Sequence, residues 1–93
     1  MRRIIDRIRE KVRNGQYVLI FHAIDEITEE GFGEEDFEQA MIRGRVVRGQ
    51  RDRLGRRKYT VEGAALDRRS LRVVCQFSGT RNSLVVITVY EAT

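Results

Sequence analysis

Leu71-Arg72-Val73-Val74-Cys75-Gln76-Phe77, the connection Gly79-Thr80-Arg81-Asn82-Ser83, and Leu84-Val85-Val86-Ile87-Thr88-Val89-Tyr90 decide the fold. Two β-prone runs flank a short segment rich in turn residues, the pattern of an antiparallel hairpin. With that hairpin symmetric about Arg81, Arg72 stands opposite Tyr90, Val74 opposite Thr88, and Gln76 opposite Val86. Leu71, Val73, Cys75 and Phe77 then share a face with Val85, Ile87 and Val89. That face is almost wholly apolar and needs a cover. The other face carries Arg72, Gln76, Thr88 and Tyr90.

Two further strands precede the hairpin. Val46-Val47 begins one, a basic loop runs from Arg48 to Arg57, and residues 58–63 form the next. In a meander, Lys58, Thr60 and Glu62 join the polar face, while Tyr59 and Val61 join the apolar one. Earlier still the period changes to 3.6. Ile4, Ile5, Ile8 and Val12 mark an amphipathic helix over 2–13, stopped by Asn14-Gly15. Tyr17 to Phe21 is a short β-prone run. A helix over 22–30 turns Ala23, Ile24 and Ile27 inward. Another starts at Glu34, with Glu34, Glu35 and Asp36 at the positive end of its dipole. Phe37, Ala40 and Met41 line its apolar face, and Gly44 follows as the terminating residue. Helices followed by meandering strands predict an α+β fold, the N-terminal helices packed on one face of a mainly antiparallel four-stranded sheet.

The chain has 93 residues, enough for one domain and one core. Its net charge of +4 conceals a strong asymmetry. Residues 17–40 hold eight acidic side chains and no Lys or Arg, whereas residues 41–93 hold twelve basic and four acidic ones. The basic half suits a polyanion such as RNA, or an acidic partner. It equally suits a solvated surface whose patches satisfy each other. No apolar run approaches the roughly 20 residues of a membrane span, and the first residues are too densely charged for a signal peptide. A single Cys75 excludes an intrachain disulfide and fits a reducing, cytoplasmic setting. One cysteine and one histidine cannot make a zinc finger, and no metal or cofactor motif is present.

Lys58, Arg72, Thr88 and Tyr90 share the polar sheet face, a place to hold a phosphate backbone and stabilise charge on a phosphodiester. An ordinary solvated sheet face has the same pattern. His22 is the only imidazole, the side chain suited to proton transfer near neutrality. A capping or packing role is open to it as well. Cys75 points into the core and is an inert thiol.

Phe21-His22-Ala23, Glu30-Gly31-Phe32, Glu35-Asp36-Phe37 with Gly44, Lys58-Tyr59-Thr60-Val61-Glu62-Gly63, Leu71-Arg72-Val73-Val74-Cys75 and Val86-Ile87-Thr88-Val89-Tyr90 occur in an order and spacing that resembles the domain-of-unknown-function family 4258. The likeness covers about residues 17–91 and leaves 1–16 as an N-terminal helical extension of the single domain 1–93. It implies a RelE/ParE- and MqsR-like fold. It also implies a toxin of a toxin–antitoxin pair that cuts mRNA without metal. Such family members are encoded singly or beside a zinc-finger protein, which implies an antitoxin partner of that type. The family's characteristic positions fall on His22, Tyr59, Gly63, Thr88 and Tyr90. The family often has His where this chain has Arg72, and an arginine cannot serve as a general base. The expected roles are His22 as base or acid and Tyr90 as acid or phosphate ligand. Arg72 with Lys58 or Arg81 stabilises phosphorane charge, and Thr88 contacts substrate. A non-catalytic module binding RNA or a protein is the alternative. A small homodimer with a structural role is a third reading, the stripe Ile4, Ile5, Ile8 and Val12 packing on its own domain or on a second copy.

Overall fold

Each apolar stripe of the sequence becomes an element that buries it. The structure, a computed structural model, describes residues 3–92. Three helices, α1 (Ile4–Arg13), α2 (Phe21–Glu29) and α3 (Glu34–Arg43), accompany five strands. The strands are β1 (Tyr17–Leu19), β2 (Arg45–Arg51), β3 (Arg57–Ala64), β4 (Ser70–Ser78) and β5 (Ser83–Glu91). The expected helical position Arg2 lies outside the described residues.

The sheet order is β1-β5-β4-β3-β2. The β2 to β5 meander is antiparallel as expected. The expected four strands become five and the sheet becomes mixed, because β1 pairs parallel with β5 through Tyr17 to Leu19. Three residues are too few to carry a period, so nothing local to that run specifies its partner.

α1 and α3 pack on one face. Ile8, Val12, Phe37 and Met41 meet Val61, Leu71, Val73, Cys75, Leu84, Val86 and Val89 in one core. The stripe considered for a homodimer is therefore covered by its own chain, with Ile8 and Val12 fully buried and Ile4 and Ile5 packed against the core. Loss of water from this apolar surface is the main favourable term holding the layers together.

One register expectation is corrected. Arg72 does stand opposite Tyr90 and Val74 opposite Thr88, but Cys75 faces Val86 and Gln76 faces Val85. Ile87 is the extra residue of a β-bulge between Val74 and Cys75. The bulge reverses the alternation of β5. Leu84, Val86 and Val89 enter the core, while Val85 moves to the polar face and Ile87 is half-buried.

Gly44 is also corrected. Its backbone is extended, not left-handed (φ −82°, ψ −173°). A side chain is excluded there because a Cβ would overlap the Ala40 carbonyl oxygen and sit 2.6 Å from that of Glu62. Gly63 meets the same Ala40 carbonyl from the sheet side. The C-terminal turn of α3 thus rests directly on the backbone of β3. At its other end, the Asp36 carboxylate accepts from the Gly33 amide at 2.8 Å and the Leu66 amide at 2.9 Å, tying α3 to the β3–β4 connection.

The basic loop expected over 48–57 is mostly strand. Pairing continues to Arg51↔Arg57 and leaves residues 52–56 as a tight tip. Asp52 shapes that tip by accepting from the Leu54 and Arg56 amides, both at 2.9 Å.

Candidate functional site

The face of the sheet turned away from α1 and α3 carries Arg45, Arg48 and Gln50 on β2, Lys58, Thr60 and Glu62 on β3, Arg72, Val74 and Gln76 on β4, and Thr88 and Tyr90 on β5. On its β5 side this face borders α2. β1 covers only the Leu84–Val86 part of the β5 edge, and α2 continues along the rest. There the Glu26 carboxylate accepts from the Val89 amide at 3.0 Å and the Thr88 hydroxyl at 2.5 Å. A backbone donor at a strand edge is thereby satisfied by a side chain of the covering helix.

His22 lies one helical turn before Glu26, and its Nε2 is 3.3 Å from the same carboxylate oxygen. The imidazole is about two-thirds exposed, while Glu26 is only 23% exposed. His22, Glu26 and Thr88 thus form a chain running from solvent to the sheet. Tyr90 follows two residues after Thr88 on the same face, directly opposite Arg72. The Arg72 Nε donates to Glu62 at 2.8 Å, with Glu62 directly across on β3. Glu62 first, and Tyr90 second, hold the guanidinium above its ordinary pKa. His22, Glu26, Thr88, Tyr90, Arg72 and Glu62 therefore occupy one side of the polar face. They combine a titratable ring, a phenol and a fixed cation.

Of the residues expected at a site, His22, Thr88, Tyr90 and Arg72 are brought together. Lys58 is on the same face but four residues from Glu62 along β3, about 13 Å away. Arg81 lies in the β4–β5 turn at the far end of the hairpin, on the order of 25 Å from Tyr90. Glu26 is not among the expected site residues, since on the helix expected over 22–30 it lies off the apolar face of Ala23, Ile24 and Ile27. The signal for it is the i, i+4 spacing of His22 and Glu26 on one helix. Cys75 is fully buried among apolar groups, and desolvation pushes its thiol up to about 12.

A second feature lies on the β2–β3 hairpin. Seven basic side chains fall between Arg45 and Lys58 against one acid, Asp52. Asp52 is engaged by Arg56 at 2.9 Å. Among the described residues, Arg45, Arg48, Arg53, Arg57 and Lys58 form no ion pair. The hairpin therefore presents uncompensated positive charge next to the polar face. Among the described residues, no group of three or more His, Cys, Asp or Glu side chains is placed to hold a metal ion. No described helix is long and apolar enough to cross a membrane.

The sequence profile of a family described as domain of unknown function (DUF4258) matches residues 19–91. No curated protein and no solved structure matches the chain.

Proposed function

The chain belongs to the DUF4258 family, and from the geometry of its polar face we propose that it is a toxin-type endoribonuclease acting without a metal. The observation that carries this reading is the His22–Glu26–Thr88 chain ending beside the facing pair Arg72 and Tyr90. Glu26 beside Nε2 favours the tautomer protonated there, which leaves the Nδ1 lone pair to act as base. His22 takes the proton of a ribose 2′-hydroxyl. The 2′-oxygen bonds to the adjacent phosphorus and the bond from phosphorus to the 5′-oxygen breaks. Tyr90 donates a proton to that leaving oxygen or a hydrogen bond to the phosphate, and Arg72 stabilises the added negative charge. Thr88 acts through Glu26, which it helps to orient. The RelE/ParE- and MqsR-like toxin fold belongs to this proposal, as does a co-encoded antitoxin partner.

The test is incubation of single-stranded RNA with purified protein in EDTA. The expected products carry a 2′,3′-cyclic phosphate and a 5′-hydroxyl. Replacing the ribose at the cut position by deoxyribose abolishes cleavage there. His22→Ala and Tyr90→Phe each slow cleavage by about 10²-fold or more, the usual scale of general acid–base catalysis. Intact RNA with the wild type, together with normal growth on induced expression, overturns the catalytic reading.

Two observations favour the second reading, a binding module without catalysis. Arg72 is already engaged by Glu62, and the free cations lie on the β2–β3 hairpin, away from His22. That reading expects RNA to bind with a steep salt dependence and to remain uncut.

A further inference from the structure

α2 has two apolar faces, and the core uses only one. Ala23 and Ile27 are buried, while Phe21 and Ile24, three residues apart on the outer face, are 86% and 42% exposed. Val18 and Ile20, on and beside the edge strand β1, are exposed as well, at 40% and 37%. Ile24 also lines a cavity of about 510 Å³ between α2 and α3, with Leu19, Ile27 and Phe32 among its walls and Glu34 at its rim. An exposed apolar helix face beside a groove is the kind of surface that marks an interaction site.

The charge around it defines the occupant. Residues 17–40 contain eight acidic side chains and no Lys or Arg. At the groove wall, the Tyr17 hydroxyl lies 2.7 Å from Glu34 and 2.6 Å from Glu38. One phenolic proton serves one carboxylate at a time, so the other is left for an incoming donor. Phe32, another residue of the groove, stacks against the Arg69 guanidinium, which lies 4.0 Å from its ring centre. We propose that the β1–α2 surface and the α2–α3 groove dock a cationic, apolar segment of a partner protein. Its apolar side chains cover Phe21 and Ile24, and its Lys or Arg side chains meet the carboxylates. The proposal is independent of the RNA reading.

The test is fluorescence anisotropy on the full chain with a short labelled peptide alternating leucine and lysine, beside one alternating leucine and glutamate. Net charge alone favours the anionic peptide, since the protein carries +4. The expected result is binding of the cationic peptide, weakened about tenfold or more by Phe21→Ala and by Ile24→Ser, as for truncation of an interface anchor. Leu54→Ala, at an exposed apolar residue on the remote hairpin tip, leaves binding unchanged. Circular dichroism checks that the variants remain folded. Failure of the cationic peptide to bind overturns the proposal, as does equal affinity for wild type and variants. Sedimentation showing wild-type self-association lost in Phe21→Ala overturns it in favour of a second copy. RNA cleavage, measured in parallel, reports separately on the other reading.

Discussion

At the scale of the residue, Gly63 shows how one atom can be decisive. Its extended backbone suits any side chain, so conformation does not require glycine. What requires it is the Ala40 carbonyl of α3, which a Cβ would overlap. Gly63→Ala must push α3 away from β3, and should cost about 1–3 kcal/mol in denaturant unfolding, the usual scale of overpacking. An unchanged midpoint would show that α3 does not rest on the sheet there. Glu26 is decisive in a different way. It satisfies a backbone donor, fixes a hydroxyl and faces the only histidine, so a residue outside the expected site connects the helix to the sheet face.

At the scale of the element, the β2–β3 hairpin depends on Asp52. Partial burial opposes ionisation of its carboxyl, but hydrogen bonds from the Arg56 and Leu54 amides and from the Gln76 and Arg56 side chains outweigh this and lower its pKa. A carboxyl lowered on folding contributes stability above its ordinary pKa, and that stability is lost as pH falls through the folded value. The Asp52 carboxyl carbon, followed by NMR, should therefore titrate below the ordinary Asp value of about 3.9. Protection of the Leu54 and Arg56 amides, taken as hydrogen exchange relative to the intrinsic rate at each pH, should fall over the same range. A midpoint at or above the ordinary value would contradict the capped tip. The β5 bulge at Ile87 is the other element-scale device. It lets β5 present Leu84 and Val86 to the core near the turn and still place Thr88 and Tyr90 on the polar face.

At the scale of the whole molecule, α1 stands before the residues matched by the family profile yet belongs to the same core. Ile8 is completely buried. Ile8→Ala should cost about 2–5 kcal/mol and lower the single cooperative unfolding transition of the entire chain. An early separate transition would instead show α1 melting by itself. The molecule also keeps its charge segregated. The acidic stretch forms α2 and the start of α3, and the uncompensated cations form the β2–β3 hairpin at the opposite edge of the sheet. Surfaces of opposite sign therefore lie at opposite edges of the sheet.

The α+β class, three helices, the antiparallel meander and the pairing of Arg72 with Tyr90 were legible in the residues, because each rests on periodicity and turn chemistry within a short window. The tertiary structure alone decided the rest. β1 found its place beside β5 only because three residues can borrow a partner's edge without a pattern of their own. The bulge at Ile87 appeared because the core had to fill itself with Leu84, Val86 and Val89 at once. The site residues His22, Thr88, Tyr90 and Arg72 met because α2 completes an edge that β1 leaves open. Local pattern selects most of the elements, but the inward face of β5 and the exposure of Ile24 on α2 were decided by the bulge and by the packing. Which elements become neighbours depends on backbone donors and apolar surfaces that are distant in the chain, and those are satisfied only when the whole sheet has formed.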